Sequence, residues 1–374
     1  MKAWPALAVL IVQSFICAAH WFLYWTWINF SRPVNPDTVT ALRLAFSILS
    51  VIFILATLIG FRFANPAVRL FYWTAALWMG LANFLFLGAA IAWLIDLVLR
   101  FAVPSATRLA DRPYIALALV AAAVITVIYG LANARILRLR RIHIKLPNLP
   151  SCWCNHQALL ISDMHLGHIN GAGFARRVAA RARELNPAVI FLAGDLFDGS
   201  KVDARRVAAP ILALKPPLGI FFVGGNHEEF GGAKHSEDAL RQGGVQVLHN
   251  ERRVIDGVHI VGVPYGNSTS PLHLRAFLDG LHLKNGSPSI LLNHVPNGLP
   301  VAEHAGVSLQ LSGHTHGGGQ MFPYNFITRR AFGKFTYGLQ RFGEMQIYTS
   351  SGAGTWGPPI RVGTHSEIVL LSFA

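Results

Sequence analysis

Apolar positions along this chain change their spacing near residue 135. Before that point they form four long stretches, at about 4–27, 39–60, 70–97 and 114–131, each close to or above the roughly 20 residues a helix needs to cross a bilayer. Beyond it the apolar runs shorten, at 158–161, 189–193, 220–223, 259–263, 290–293, 309–312 and 346–349, with Gly, Pro or Asn nearby. Runs of that length predict buried strands. Helical patterns at 175–185, 204–214 and 272–281 lie between several of them, and such alternation predicts an α/β sandwich. Between the two regions, Pro147 and Pro150 end the helical pattern. The expected organisation is an N-terminal all-α module of four transmembrane spans over 1–134, a basic, Pro-containing linker over 135–155 and a C-terminal α/β domain over 156–374.

Composition supports the split. Hydrophobic residues make up 53% of the 374 and charged residues 13%, the balance of a chain with membrane spans. The first stretch is too long for the apolar part of a cleaved signal, and Trp21, Trp25 and Trp27 resemble an interfacial belt, so it is read as a retained span. The formal charge of +14 is unevenly placed: residues 1–145 hold 13 Lys or Arg against Asp37, Asp96 and Asp111. Most of the excess therefore flanks apolar segments, where basic residues set topology and meet anionic lipid, and no nucleic-acid partner is expected.

With four spans, one side receives Lys2, Arg62, Arg69, Arg135, Arg138, Arg140, Arg141 and Lys145, and the other Arg32, Arg43, Arg100, Arg108 and Arg112. The excess assigns the first side to the cytoplasm. The expectation is a multi-pass protein of the cytoplasmic (inner) membrane, with everything after Arg135 in the cytoplasm. Asp96 lies about one turn from Arg100 and is read as solvated or paired with it near the interface. Cys17, Cys152 and Cys154 offer no disulfide framework, and Cys152 and Cys154 are read as part of the linker rather than as metal ligands. No protein partner is inferable.

Five motifs carry the candidate chemistry: Asp163-Met164-His165, Gly194-Asp195-Leu196-Phe197-Asp198, Gly225-Asn226-His227-Glu228, His294 and Gly313-His314-Thr315-His316. Each follows a predicted strand. Strand carboxyl ends in an α/β sheet open onto one crevice, so residues distant in sequence converge there. Their oxygen and imidazole groups suit a pair of divalent cations that activate water against a phosphorus ester. A carboxylate has two oxygens and can span cations about 3.5–4 Å apart.

In this order the motifs resemble the calcineurin-like metallophosphoesterase superfamily over roughly 158–373. The ending, with Gly338-Leu339, Tyr348-Thr349-Ser350-Ser351-Gly352-Ala353-Gly354-Thr355 and Pro359-Ile360-Arg361, resembles its membrane-associated YkuE/YaeI-type branch, which includes enzymes that hydrolyse a UDP-diacylglucosamine pyrophosphate. The resemblance implies two mixed sheets flanked by helices and a metal-dependent hydrolase of phosphoric esters or pyrophosphates. It implies that Asp163, His165 and His316 hold one metal, that Asn226, His294 and His314 hold the other, and that Asp195 bridges them. By the same resemblance His227 protonates the leaving oxygen, oriented by Asp198 through its other ring nitrogen. Manganese is the expected ion, and the mixed ligands also admit Fe, Zn, Co or Ni.

Glu228 is read as supporting a ligand or a backbone group, and His168 as an ordinary loop residue. The sequence departs from the usual pattern by an additional glycine in Gly317-Gly318-Gly319-Gln320, by Pro264-Tyr265 where an acidic pair is common, and by Ser366 in place of proline. Arg329 and Arg330 are candidate ligands for a diphosphate, since guanidinium forks suit phosphate oxygens; a solvated loop pair is the plainer reading. The basic residues from Arg135 to Lys145 either attract anionic headgroups or only enforce topology. The function expected is hydrolysis of a phosphodiester or pyrophosphate in a phospholipid or lipid-linked substrate such as UDP-diacylglucosamine, by an enzyme anchored in the membrane. The alternatives are a tethered phosphatase or phosphodiesterase for soluble nucleotides or phosphoproteins and, from another class, a non-catalytic membrane sensor.

Overall fold

Two Asn-Pro pairs set where the long helices begin. The computed structural model of the protein describes residues 4–31, 35–283 and 286–374; Lys2 and Arg32, counted above for orientation, lie outside them. Four helices are long and apolar enough to cross a membrane: α1 (Trp4–Phe30), α2 (Pro36–Gly60), α3 (Pro66–Ala102) and α4 (Ser105–Arg135). The side chains of Asn35 and Asn65 accept the backbone N–H of Thr38 at 2.8 Å and of Val68 at 2.9 Å. Pro36 and Pro66 then occupy the first turn, where a missing N–H costs nothing. Both helices therefore start ahead of the apolar stretches read from sequence. α4 also starts early and runs through Pro113.

The chain divides into two units, one reaching to Ala132 and including Gly357–Ile360, the other comprising Asn133–Trp356 and Arg361–Ala374. Several polar side chains inside the helical unit are paired, as a medium without water favours. Trp78 Nε1 donates to His20 Nε2 at 3.0 Å while His20 Nδ1 donates to the carbonyl of Ile16 at 2.8 Å, and Trp93 Nε1 donates to Thr26 Oγ1 at 2.9 Å. Asp96 is not paired with Arg100, as expected from the one-turn spacing. It is buried between Arg108, at 2.6 Å, and Arg112, at 2.8 and 2.9 Å. The turn from α3 into α4 folds those two arginines back onto it, and Arg112 also lies over the rings of Phe30 and Trp93 at 5.1 and 5.5 Å.

The second unit carries, in chain order, β1 (Arg138–Ile144), β2 (Gln157–Ile161), α5 (Ala172–Leu185), β3 (Val189–Ala193), α6 (Ala204–Leu212), β4 (Ile220–Val223), α7 (Asn226–Gly231) and α8 (Ala233–Gln242). It continues with β5 (Gln246–Val247), β6 (Glu251–Ile255), β7 (Val258–Val263), α9 (Tyr265–Ser268), α10 (Pro271–Asp279), β8 (Ser289–Asn293) and α11 (Leu299–His304). The last elements are β9 (Leu309–Ser312), α12 (Tyr324–Phe332), β10 (Gly338–Phe342), β11 (Met345–Thr349) and β12 (Glu367–Phe373). The strands form two mixed six-stranded sheets, β1-β12-β2-β3-β4-β5 and β10-β11-β9-β8-β7-β6.

Period-two alternation explains the layers. Leu160, Phe191 and Phe221 join Ile290, Leu309 and Tyr348 in the core between the sheets. Their neighbours Leu159, Ile190 and Phe222 face the opposite side and pack with apolar residues of α5, α6 and α8. On the other sheet Leu291 and Ile347 pack with residues of α10 and α11. Segment 135–155, expected as a linker, contains β1, whose residues pair in parallel with β12 from Arg138 opposite Glu367 to Ile144 opposite Phe373. Its charges hid it, yet charged side chains are what an edge strand uses to discourage further pairing.

Candidate metal centre

Every ligand candidate is placed by the end of a strand. Asp163 and Asp195 lie two residues after β2 and β3, Asn226 opens α7 after β4, His294 follows β8 directly, and His314 lies two residues after β9. Immediately past their strands the loops turn sharply, with Asp163, His165, Asp195, His314 and His316 all at φ between 46° and 70°. Non-glycine residues seldom adopt this region, and where they cluster in it the surrounding structure must hold them. Backbone bonds do so: Asp163 N–H donates to Gly194 O at 3.1 Å and His165 N–H to Asp195 O at 3.0 Å. The N–H of His314 donates to the Asp163 carboxylate at 3.0 and 3.2 Å. Gly225 and Gly313 have no side-chain alternative, because a Cβ on either would overlap the carboxylate of Asp195 or Asp163.

The side chains meet. His294 Nε2 lies 3.0 Å from Asp195 Oδ2, His165 Nε2 lies 3.2 Å from His316 Nε2, and His314 Nδ1 lies 3.0 Å from Asn226 Oδ1. Asp163 Oδ1 is 3.8 to 4.0 Å from Nε2 of His165, His294 and His316, and His165 Nε2 is 3.9 Å from Asp195 Oδ2. Ligand atoms of Asp163, His165 and His316, of His165, Asp195 and His227, and of Asp195, His294 and His314 form three clusters, each with all its atoms within 4.8 Å of one another.

Tautomers test whether this set suits cations. His294 Nδ1 is 2.8 Å from the carbonyl of Ala193, which only accepts, so Nδ1 carries the proton. Its Nε2 faces Asp195 Oδ2 without a well-formed hydrogen bond. Arg361 only donates, so the His316 Nδ1 it reaches at 3.1 Å is an acceptor, and a single proton is left for the two facing nitrogens of His316 and His165. In each pair the facing atoms can share one proton, and a divalent cation can take that proton's place.

Charge agrees with geometry. Burial, with the neighbouring Asp195 charge, pushes the Asp163 carboxyl up to about 6. Burial opposes ionisation of Asp195 too, yet the His294 ring holds it well below the usual carboxylate range. His294 follows: burial opposes its protonation, and the two carboxylates outweigh this and raise it to about 10. Burial holds His165 and His316 well below the ordinary imidazole value and lowers His314 to about 4. His165, His314 and His316 are thus held in the neutral form a metal ion binds, whereas His294 would give up its Nε2 proton to one.

The remaining candidates divide. His227 Nδ1 donates to the carbonyl oxygen of Asp198 at 3.0 Å, so Asp198 reaches it through the backbone and not through its carboxylate. That carboxylate instead accepts the N–H of Ser200 at 2.8 Å and of His168 at 3.2 Å. The second His227 nitrogen, Nε2, is 4.0 Å from Asp195 Oδ2. Glu228 is buried and accepts N–H groups from Asp195 at 3.0 Å, Phe197 at 2.9 Å and Gly225 at 2.7 Å, tying two ligand loops together. Burial, with the Asp195 charge, pushes its carboxyl up to about 7. His168, expected as an ordinary loop residue, is buried at 3% exposure. Arg329 and Arg330 lie exposed in the last turn of α12; it is Phe332 of that helix whose ring lies 6.0 Å from His314.

Arg361 received no role from the sequence. It is fully buried and donates to the carbonyls of Ser351, Gly354 and His365 at 2.8, 2.7 and 2.9 Å as well as to His316. Burial lowers it to about 10. Its position between a Gly/Pro-rich loop and a strand gives no signal of burial in sequence.

A family model described as calcineurin-like phosphoesterase matches residues 156–318. Over 216 residues the chain is 33% identical to an uncharacterized metallophosphoesterase of Aquifex aeolicus, covering 56% of this chain and 82% of that one. It is 33% identical over 270 residues to a transmembrane protein with metallophosphoesterase domain from Danio rerio, covering 67% and 61%. It is 29% identical over 247 residues to the uncharacterized metallophosphoesterase YkuE of Bacillus subtilis, covering 61% and 82%. The chain thus spans 61% of the length of the Danio rerio relative.

Proposed function

Since this chain belongs to the calcineurin-like phosphoesterases, we propose that it is a membrane-anchored dinuclear-metal hydrolase of a lipid phosphodiester or pyrophosphate, with UDP-diacylglucosamine as the type of substrate. The observation that carries the catalytic part is the meeting of His294 with Asp195 and of His165 with His316, whose facing atoms can bind a cation in place of a shared proton. Asp163, His165 and His316 would hold one ion, Asn226, His294 and His314 the other, and Asp195 both. Bound there, two divalent ions supply Lewis acidity toward a phosphorus ester and a nucleophile from water. Manganese is the ion proposed, from a ligand set of mixed oxygen and nitrogen.

The protein's own groups supply the rest. Glu228 fixes the backbone that carries Asp195, and the N–H of His227 donates to the Asp195 carboxylate at 2.9 Å. Asp198 O holds the Nδ1 proton of His227, which leaves Nε2 on the cluster side; as the imidazolium, His227 would pass its Nε2 proton to the leaving oxygen and keep the one on Nδ1. Of the two candidate arginines, Arg329, on the side of its helix that faces the Gly318 turn, is proposed to engage the outer phosphate of a pyrophosphate; Arg330 points away from that turn. The lipid reading is supported by four helices long and apolar enough to span a membrane in the same chain. The distribution of Lys and Arg supports an inner-membrane location with the phosphoesterase unit in the cytoplasm.

The test uses the purified full-length chain with manganese. Turnover of UDP-diacylglucosamine in mixed micelles is expected to exceed turnover of a cyclic nucleotide, and Asp195→Ala is expected to abolish both. Preference for the soluble nucleotide would replace the lipid reading with the tethered phosphodiesterase. Activity retained in Asp195→Ala would overturn the metal assignment.

A further inference from the structure

Helix α12 differs from the other helices of nine or more residues in its unit. α5, α6, α8 and α10 each bury at least one apolar side chain, whereas no residue of α12 is buried. It is nevertheless rich in large apolar groups. Phe326 is 64% exposed and Ile327 69% exposed, and Phe322 and Tyr324 at its start are 44% and 43% exposed. Burial of one such side chain in an apolar medium is favourable by more than the thermal energy, so water alone gives this helix no reason to present two of them.

The inner face of α12 is fixed by three positions. Phe332 lies against His314, and Asn325 and Arg329 lie beside the Gly318 turn. At 100° per residue this leaves Phe326, Ile327 and Arg330 on the outward side. Lys334 follows in the next turn and is also exposed. Large apolar groups beside Arg and Lys are the composition of a helix that lies in the plane of a bilayer interface, its cations on anionic headgroups. The same chain contains four helices able to span a bilayer, so such a surface belongs to its surroundings.

Exposed aromatic surface continues from α12 to the ligand cluster. Gln320, two residues before Phe322, exchanges two hydrogen bonds with the backbone of Trp356 at 2.8 and 3.1 Å. The Trp356 ring is 44% exposed and 5.1 Å from the His227 ring, and on another side Phe230 is 67% exposed and 5.7 Å from it.

We propose that α12 is an interfacial helix, with Phe326 and Ile327 inserted among acyl chains and Arg330 and Lys334 on anionic headgroups, which sets the mouth of the metal cluster against the bilayer so that an amphiphile enters past Trp356. The docking stands by itself; only the nature of the delivered molecule rests on the hydrolase reading.

The test uses the full chain with Cys17, Cys152 and Cys154 replaced by serine, Ile327→Cys labelled with a fluorophore, and vesicles containing brominated phosphatidylglycerol. Quenching of the label by at least roughly twofold is expected for a side chain about 5–10 Å into the headgroup boundary, with none for a label on Arg181→Cys in α5. Separately, Phe326→Ser with Ile327→Ser is expected to lower turnover of a vesicle-embedded lipid diester by about tenfold or more, the factor set by removing a large apolar side chain from lipid. Turnover of soluble bis-p-nitrophenyl phosphate is expected to be unchanged. Equal emission from both labels overturns the docking, and equal effects on both substrates overturn the delivery role. Quenching at position 327 in a chain that turns over neither substrate supports the docking and counts against the hydrolase reading alone.

Discussion

Asp96 and His20 in the helical unit and the motif residues of the phosphoesterase unit handle buried polarity in opposite ways. In the helical unit Asp96 has three hydrogen bonds from two arginines, and His20 has both ring nitrogens engaged. Nothing at these two residues is left for a ligand to complete. In the phosphoesterase unit His294 Nε2 and His165 Nδ1 are buried without a hydrogen-bond partner, and five of the motif residues sit in the left-handed backbone region. Buried polarity that the protein satisfies from within is architecture. Buried polarity it leaves open, on backbone held in an unfavourable conformation, marks the place where something else binds.

Substitutions separate the two kinds, and the largest effect belongs to the open site. Asp195→Ala is expected to bring divalent-dependent phosphodiester hydrolysis down to the buffer background while the chain stays folded and inserted, as followed by circular dichroism and gel filtration. His227→Ala comes next, with turnover falling about 10²–10⁴-fold and metal content unchanged. The loss is expected to shrink for a p-nitrophenyl ester, whose leaving group needs no proton; an equal loss on an alkyl ester would remove the general-acid role. Glu228→Gln, which keeps the shape and alters the support of Asp195, is expected to weaken metal binding by about 10–100-fold, read by titration of the metal-free protein. Asp96→Ala is expected to act in the reverse sense, costing about 1–3 kcal/mol of stability by taking the carboxylate from two half-buried arginines, with turnover of the surviving folded fraction unchanged. A drop in turnover per folded molecule would show that Asp96 serves the reaction as well as the fold.

How much of this was legible in sequence follows the same division. Asp163, Asp195, Asn226, His294, His314 and His316 could be read because each follows a short apolar run, and the parallel strands of two facing sheets then bring their carboxyl ends together. Helix ends were less legible: the apolar pattern located the spans, but the Asn-Pro pairs decided their starts. β1 escaped because Arg138, Arg140 and Arg141 outnumber its buried positions, and edge strands need only one apolar face. The partners of Asp96 escaped because they come from the next helix and not the same one. The use of Asp198 through its carbonyl, and the burial of Arg361 against His316, depend on loop backbone that no residue pattern encodes.

Metal stoichiometry tests the central claim most directly. After equilibrium dialysis against manganese, the full-length protein is expected to retain two ions per chain, one for each half of the ligand set, and His294→Ala is expected to retain no more than one. A wild-type chain that retains none, or a His294→Ala chain that still retains both, would contradict the account.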